Sequence, residues 1–469
     1  MTTFIYGGFM NQEQSYHFLG TERISKLMLK FSIPCVFSLV ISALYNIVDQ
    51  IFIGNSELSA LGNAATSIVF PLFVISQAVA WCVGDGCAAY LNICQGRRDT
   101  ENAHKAIGTG VTLTFICGVL IAALFVPFAQ PILTFFGASD NTLGMAIEYS
   151  NIIAIFLPVY MLSNMMGAAI RADGSPNWSM ASTVIGAVIN IVLDYLFIFV
   201  FKWGMFGAAL ATGIGQAVSF LIALIYFFNT KTFRLTLKSF IPDFKAFSGA
   251  FKLGISTFIT QITIVVVVIV CNMMLAKHGA QSHYGADIPI AILGIESKVF
   301  TVVINVVVGI VLGCQPIISY NMGAKNYTRV RKIYKAILLC TIVVGAVSTL
   351  LFQFMPRQIV AMFGQPTNIP NPEDYWVFGE KTFRIFLGLI LFTCVIKMTS
   401  IFFQASGKPV QATIVSMIRD LIFFVPLVII MPIYLGIDGT LIASPVADFI
   451  AMIISTTLTI SFIRSLKQK

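Results

Sequence analysis

Apolar segments long enough to cross a membrane recur along nearly the whole chain, and they constrain the fold more than any motif does. A transmembrane helix needs about 20 consecutive apolar residues, and glycine, proline, asparagine or charged residues bound twelve such windows here. The chain is 57% hydrophobic and only 10% charged, whereas soluble domains hold about 25% charged residues. The sequence therefore predicts an all-α polytopic membrane protein with twelve transmembrane helices, at residues 31–53, 60–83, 104–127, 145–168, 178–201, 205–228, 253–276, 288–312, 334–355, 379–402, 410–433 and 438–462.

The basic residues predict how these helices are oriented. Assigning alternate loops to opposite sides places 21 Lys and Arg on one side and five on the other, with three in or beside spans. Because cytoplasmic loops carry the excess of Lys and Arg, both termini are predicted to be cytoplasmic, in a multi-pass plasma-membrane protein. The net charge of +9 therefore reports topology, and it does not indicate nucleic-acid binding. The larger set comprises Arg23 to Lys30, Arg97 to Lys105, Arg171, Lys231 to Lys252, Lys325 to Lys335, Lys408 and Arg464 to Lys469.

Cysteine and histidine give no sign of a prosthetic group. The nine cysteines lie mostly in apolar runs without a CxxC pair, which indicates small buried side chains rather than a disulfide framework or a zinc site. The four histidines lie in tails, loops or span edges, so no catalytic cluster is visible. We therefore predict no cofactor and no enzymatic activity.

The second half of the chain repeats the first. GCAAYLNICQGRRD (86–99) aligns with GCQPIISYNMGAKN (313–326), IRADGSP (170–176) with FQASGKP (403–409), and GMFGAALAT (204–212) with GIDGTLIAS (436–444). Each half has an even number of spans, so both enter the membrane in the same orientation and are related by an axis along its normal. The prediction is two pseudo-symmetric six-helix bundles around a central cleft.

The same division sets the predicted domain boundaries. They are a cytoplasmic N-terminal tail (1–22), an N-lobe with helices 1–6 (23–228), a basic cytoplasmic linker (229–252), a C-lobe with helices 7–12 (253–463) and a cytoplasmic tail (464–469).

Polar residues at helical spacing indicate a pocket in the N-lobe, because a polar side chain facing lipid is costly. The fifth span carries Ser182, Asn190 and Asp194 at multiples of four, and the sixth carries Thr212 and Gln216. Asp49 lies near the outer end of the first span. Two carboxylates, an amide oxygen and a hydroxyl suit a hard cation such as Na⁺. A proton shared by the two aspartates suits the same pocket.

The C-lobe does not repeat this pocket but offers mixed charges. Glu296 lies in the eighth span, Lys397 in the tenth and Arg419 in the eleventh. One interpretation is a substrate or coupling site, and the other is an ion pair between Glu296 and either cation that holds helices together.

Pro34 interrupts the first span. A proline inside a helix removes one backbone hydrogen bond and favours a kink. The alternative is a proline tolerated near the beginning of a helix.

The chain resembles the multidrug and toxic compound extrusion (MATE) transporters over nearly all of residues 23–462. The resemblance lies in IPCVFSLVISALYNIVDQIFIG (33–54), IRADGSPNWSM (170–180), NIVLDYLFIF (190–199), GMFGAALAT and GCQPIISYNMGAKN. It implies two six-helix lobes and export of amphipathic, often cationic drugs in exchange for inward H⁺ or Na⁺.

The resemblance also implies roles for individual residues. The cation site of the family's N-lobe matches Asp49, Asn190, Asp194 and Thr212, which would be the ligands of Na⁺ in a sodium-coupled member. Glu296 matches an acidic residue that contacts cationic drugs in some relatives, and Pro34 matches a proline at which the first helix bends in some members. The remaining candidates for substrate binding are Gln216, Ser182, Lys397 and Arg419.

The leading functional hypothesis is a cation-coupled antiporter that works by alternating access as a monomer, with small amphipathic molecules and the lipid bilayer as its partners. A flippase for a lipid-linked precursor is the alternative, although such proteins tend to carry several cations in the cavity. An intramembrane enzyme is a remote alternative.

Overall fold

The structure is a computed structural model that describes residues 12–285, 287–363 and 372–466. Within these residues, every regular element is helical. The first half contains α1 (Gln12–Thr21), α2 (Ile24–Gly54), α3 (Ser59–Arg97), α4 (Thr100–Phe125), α5 (Ala129–Phe135), α6 (Asp140–Ala172), α7 (Pro176–Asp194) and α8 (Gly204–Phe227). The second half contains α9 (Phe244–Ala280), α10 (Asp287–Gly323), α11 (Tyr327–Phe354), α12 (Pro356–Ala361), α13 (Pro372–Ile385), α14 (Ile390–Ala405), α15 (Pro409–Met417), α16 (Val425–Leu435) and α17 (Ile437–Ser465).

The number of membrane spans agrees with the prediction. Eleven spans are long and apolar enough to cross a membrane in the described part of the chain, and the pair α13–α14 makes twelve if it is one span. This pair is bent by 49°, whereas the sequence predicted a continuous helix over 379–402. Gly388 lies in the break, and glycine is a poor helix former.

Several helices extend well beyond the predicted apolar windows. α3 runs on to Arg97 and α10 to Gly323, and α9 begins at Phe244, inside the segment predicted as a linker. The apolar windows stop where polar side chains appear, but the backbone hydrogen bonds of a helix continue through them. We call the end of the bundle that carries the larger set of Lys and Arg the basic end, and all three extensions project there.

Two spans contain a segment of π-helical hydrogen bonding, one at the end of its span and one in the middle. α7 continues into the π segment Tyr195–Val200 directly after Asp194, and α15 continues into Ile418–Phe424. A π turn shifts the side chains that follow it around the helix, and such turns are frequent at functional sites. In the second segment, the consecutive residues Arg419 and Asp420 are both buried.

Matching glycines of the two halves let the lobes approach closely at the basic end. Gly96 of α3 and Gly323 of α10 are aligned in the sequence repeat, and they face each other so closely that a Cβ on either would overlap backbone atoms of the other helix. Gly86 lets α3 approach α9, and its counterpart Gly313 lets α10 approach α2. The pairing of aligned residues supports the predicted duplication and its axis along the membrane normal.

Hydrogen bonds between the lobes lie between this basic end and the middle of the bundle. Ser32 of α2 donates to the carbonyl of Ile310 at 2.9 Å. Gln261 of α9 donates to Gln77 of α3 at 3.4 Å. These contacts join the two lobes from the basic end to the middle of the bundle.

The N-terminal residues pack against the opposite half. Leu19 of α1, together with Leu27 and Phe31 of α2, belongs to the apolar core formed mainly by α10, α11, α13 and α14. The predicted tail thus contains a helix, α1, that contacts the second half of the chain. The division into a tail, two lobes and a linker stays a prediction.

Candidate cation and substrate site

The N-lobe candidates come together between α2, α7 and α8. Asp194 is completely buried at the end of α7, and Asn190, one turn earlier, is 3% exposed. The amide of Asn190 lies 3.5 Å from the hydroxyl oxygen of Thr212 on α8. Asp49 of α2 interacts electrostatically with Asp194 across this pocket. The four residues predicted from their spacing are therefore neighbours.

Four buried oxygens of this pocket have no hydrogen-bond partner among the described residues. They are Oδ1 of Asp49, Oδ1 of Asn190 and both carboxylate oxygens of Asp194. Buried polar atoms in native proteins are almost always hydrogen-bonded, and an unpaired buried charge is costly. A hard cation with oxygen ligands or a bound proton would satisfy them, so these residues fit the implied ion.

Two tyrosines that no spacing pattern in the sequence indicates complete the pocket. The amide of Gln216 donates to the hydroxyl of Tyr45 at 3.3 Å. Tyr149 of α6 is 4% exposed and lies within interaction distance of Thr212 and both carboxylates. The run Tyr149–Ser150–Asn151 in an apolar span was the available signal, but a tyrosine alone is too common in membrane helices to indicate a site.

Ser182 is not brought to this pocket. Its hydroxyl donates to the carbonyl of Ser179 at 2.8 Å, and its own carbonyl accepts from Ser219 at 3.0 Å. It lies two turns from Asn190 in the contact between α7 and α8, because small polar residues at a four-residue spacing also serve close helix packing.

Pro34 lies inside α2, which continues through it as one helix. The hydroxyl of Ser38 donates to the carbonyl of Pro34 at 2.8 Å. A role of Pro34 as a hinge stays a prediction.

The C-lobe holds a buried network of four charges. Arg419 donates to Asp420 at 2.7 Å and to Asp448 at 2.8 Å. Lys397 donates to the other oxygen of Asp420 at 2.7 Å, and Thr393 donates to Asp448 at 2.8 Å. Lys397 and Arg419, which the sequence placed in a substrate site, are thus paired with two aspartates of α15–α17.

Glu296 is left out of this network. It is 3% exposed, and among the described residues it makes no ion pair within 4 Å, its side-chain partner being Ser297 at 3.5 Å. The predicted alternative was an ion pair between Glu296 and Lys397 or Arg419. Both cations instead pair with Asp420 or Asp448.

The MatE family model matches residues 34–196 and 256–430, which is most of both lobes. The chain belongs to the MatE family. Its fold is that of the MATE transporters, as the resemblance implied, and this is a family of membrane transporters rather than enzymes.

Individual relatives match over almost their full length. The multidrug export protein MepA of Staphylococcus aureus (strain MSSA476) is 27% identical, and the match covers 95% of this chain and 96% of that protein. A structure described as the outward-facing conformation of a multidrug resistance MATE family transporter of the MOP superfamily has a TM-score of 0.88 at 22% identity, with 97% and 99% coverage. A MOP superfamily transporter from Pyrococcus furiosus, described by a reversed polarity of its binding pocket, has a TM-score of 0.88 at 23% identity, also with 97% and 99% coverage. These structures share the fold.

Proposed function

We propose that this MATE protein exports amphipathic, mostly cationic drugs and toxic organic compounds from the cytoplasm in exchange for inward H⁺ or Na⁺. Family membership makes it a transporter, and the similarity to MepA proteins supports multidrug export as its activity. The basic end is the cytoplasmic side in this proposal, with both termini there, and the protein acts as a monomer.

The observation that carries the proposal is the set of four unpartnered buried oxygens from Asp49, Asn190 and Asp194. Insertion scales put the cost of an aspartate at the centre of a transmembrane helix at about 2.5–3.5 kcal/mol, and no cation of the described chain forms an ion pair with these two aspartates. A transported H⁺ or Na⁺ would offset this cost, with Thr212 contributing its hydroxyl oxygen.

Alternating access follows if the cation and the drug favour different arrangements of the lobes, because a ligand with equal affinity for both states shifts nothing. The two lobes are in contact at the basic end, and Asp49 lies in the opposite half of α2. A cation from outside would bind here as the drug leaves. Release of the cation to the cytoplasm would follow when the basic end opens.

The drug would bind between the lobes, with Glu296 as its anionic contact in the C-lobe. A buried carboxylate without a cationic partner favours an organic cation, whose charge it would neutralise. Gln216, whose amide donates to Tyr45 at 3.3 Å, is the candidate from the N-lobe.

Replacing Asp194 with asparagine tests the proposal. In cells that lack other drug pumps, Asp194→Asn should abolish ethidium efflux and drug resistance, because the amide cannot take up and release a proton and binds Na⁺ poorly. Asp140→Asn, an exposed site at the beginning of α6, is the matched control and should transport normally. Efflux by Asp194→Asn at the wild-type rate, with equal amounts of protein in the membrane, would contradict the coupling role.

Reconstituted protein identifies the ion. Ethidium transport into liposomes is measured with an imposed Na⁺ gradient at uniform pH, and then with a pH gradient without Na⁺. Transport driven by one gradient alone assigns the coupling ion. Equal transport without either gradient would exclude antiport.

A lipid-linked-precursor flippase is less well supported. Recognition of a diphosphate needs free cationic groups in the cleft, whereas Lys397 and Arg419 are each engaged by buried aspartates.

A further inference from the structure

Another buried carboxylate of the N-lobe lies outside the pocket of Asp49 and Asp194. Asp85 of α3 is 5% exposed, and its Oδ1 lies 3.6 Å from Nη2 of Arg171 at the end of α6. The side chain of Arg171 keeps 22% of its surface exposed. The two groups form an ion pair without a short hydrogen bond.

Asp85 lies where the two lobes meet. The preceding residue, Gly84, packs against Met165 of α6. A Cβ added to Gly84 would lie 3.0 Å from the Cα of Met165. The following residue, Gly86, packs against the backbone of Ala250 and Gly254 on α9, in the other lobe. The carbonyl of Asp85 accepts a hydrogen bond from Gln315 of α10 at 3.2 Å. Separation of the lobes at the basic end would remove α9 and Gln315 from this residue.

The fold itself does not need this ion pair. In the sequence repeat, Asp85 corresponds to Leu312 at an offset of 227, and Arg171 corresponds to Gln404 at an offset of 233. The C-lobe thus has uncharged residues at the two aligned positions. Both lobes keep the glycine that close helix packing needs, which is Gly86 in the N-lobe and Gly313 in the C-lobe. Replacing a buried ion pair with apolar residues is often neutral or stabilising, so stability alone does not explain the charges of the N-lobe.

We infer that Asp85 is a binding residue for organic cations that arrive from the cytoplasm, and that Arg171 occupies it when no substrate is bound. This inference rests on the proposed function and adds a capture site at the basic end. Opening of that end exposes the carboxylate. The guanidinium of Arg171, whose side chain is 22% exposed and which lies 3.6 Å from Asp85, is then the group that a cationic drug displaces.

Competition between Arg171 and the drug makes a distinctive prediction. Asp85→Asn removes the attraction and leaves the guanidinium in place, so the KM for a cationic drug rises. Arg171→Gln removes the competitor, so the KM falls. An ion pair that only holds helices together would respond in the same direction to the loss of either partner.

The test uses ethidium as the cationic probe, presented to the cytoplasmic side of inside-out membrane vesicles. Initial rates over a range of ethidium concentrations give KM separately from the maximal rate. We expect Asp85→Asn to raise KM about tenfold, the effect of losing one charge-assisted contact, and Arg171→Gln to lower it. The double variant Asp85→Leu/Arg171→Gln installs the residues of the C-lobe, and it should insert normally yet keep the raised KM.

Two outcomes would overturn the inference while leaving the proposed function intact. One is a rise in KM for both single variants with recovery of the wild-type KM in the double variant, which would show a structural pair. The other is an unchanged KM in all three variants. A wild-type protein that does not accumulate ethidium under either ion gradient would instead overturn the proposed function, and the inference with it.

Discussion

Two buried aspartates of this protein, Asp420 and Asp194, differ in whether the chain supplies a partner for the carboxylate. Asp420 is held by Arg419 and Lys397 at 2.7 Å each, so its charge is neutralised within the chain. Asp194 is equally buried, but neither of its oxygens has a partner in the described residues. The first arrangement is complete by itself, whereas the second leaves the carboxylate open to the H⁺ or Na⁺ that we propose binds there.

Arg419 is predicted to be essential for the stability of the C-lobe. Arg419→Ala leaves Asp448 without its cation and Asp420 with only Lys397, and removing one partner of a buried ion pair costs about 3–5 kcal/mol. Thermal unfolding of the purified protein in detergent should show a large decrease in the midpoint temperature. Lys298→Ala, an exposed lysine of α10, is the control and should unfold near the wild-type midpoint. Equal midpoints for both variants would show that the network contributes little.

Glu296 is predicted to discriminate by charge. Glu296→Gln should raise the KM for cationic drugs about tenfold through loss of a charged contact, and leave neutral drugs almost unaffected. Glu148→Gln, an exposed site of α6, serves as the control in the same transport measurement. An equal loss for cationic and neutral drugs would instead indicate a structural role.

At the scale of single helices, irregularity coincides with the polar sites. The π segments directly follow Asp194 in one lobe and contain Arg419 and Asp420 in the other. α13 and α14 are separated by a 49° bend before Lys397. A regular helix would place Arg419 and Asp420 about 100° apart around its axis, and both are buried in the π segment.

The glycine contact between α3 and α10 is predicted to control closure of the basic end. Gly96→Ala adds a Cβ that overlaps the carbonyl oxygen of Tyr320, and overpacking of this kind costs roughly 1–3 kcal/mol. The closed arrangement should therefore become less populated. Gly144→Ala is the control, because a Cβ there meets no atom within 4 Å.

This shift can be measured as a distance between spin labels on cysteines at the exposed positions Glu101 and Lys332. The partly buried Cys117 and Cys340 are first replaced by serine. Gly96→Ala should move the distance distribution to longer values, and the control should match the parent protein. An unchanged distribution would show that the helices adjust to the added methyl group.

At the scale of the whole molecule, the charge distribution predicts the orientation in the membrane. A fluorescent protein fused after Lys469 should fluoresce, and alkaline phosphatase fused there should be inactive, because the C-terminus is predicted to be cytoplasmic. Alkaline phosphatase inserted after Ala280, at the opposite end of α9, should be active. The reverse pattern would invert the assignment of the basic end and, with it, the proposed direction of export.

The sequence was informative where membrane physics leaves few choices. Lipid offers no hydrogen bonds, so each long apolar run must form a helix, and this gave the number of spans and the all-α class. Spacing of four residues brought Asn190 and Asp194 to one face, because that face must avoid lipid. The same spacing was misleading for Ser182, since small polar residues at this interval also pack one helix against another.

The sequence by itself determined which elements the protein contains. These are twelve apolar spans, two repeated halves and a pair of aspartates on the inward faces of their helices. Only the tertiary structure decided the partners. It paired Arg419 and Lys397 with Asp420 and Asp448 rather than with Glu296, and it placed Tyr149 beside Asp49 and Asp194. Periodicity fixes the face of one helix, because it depends on neighbours along the chain. The partner across the interface depends on the rotation and depth of a second helix, and only the packing of the whole bundle sets these.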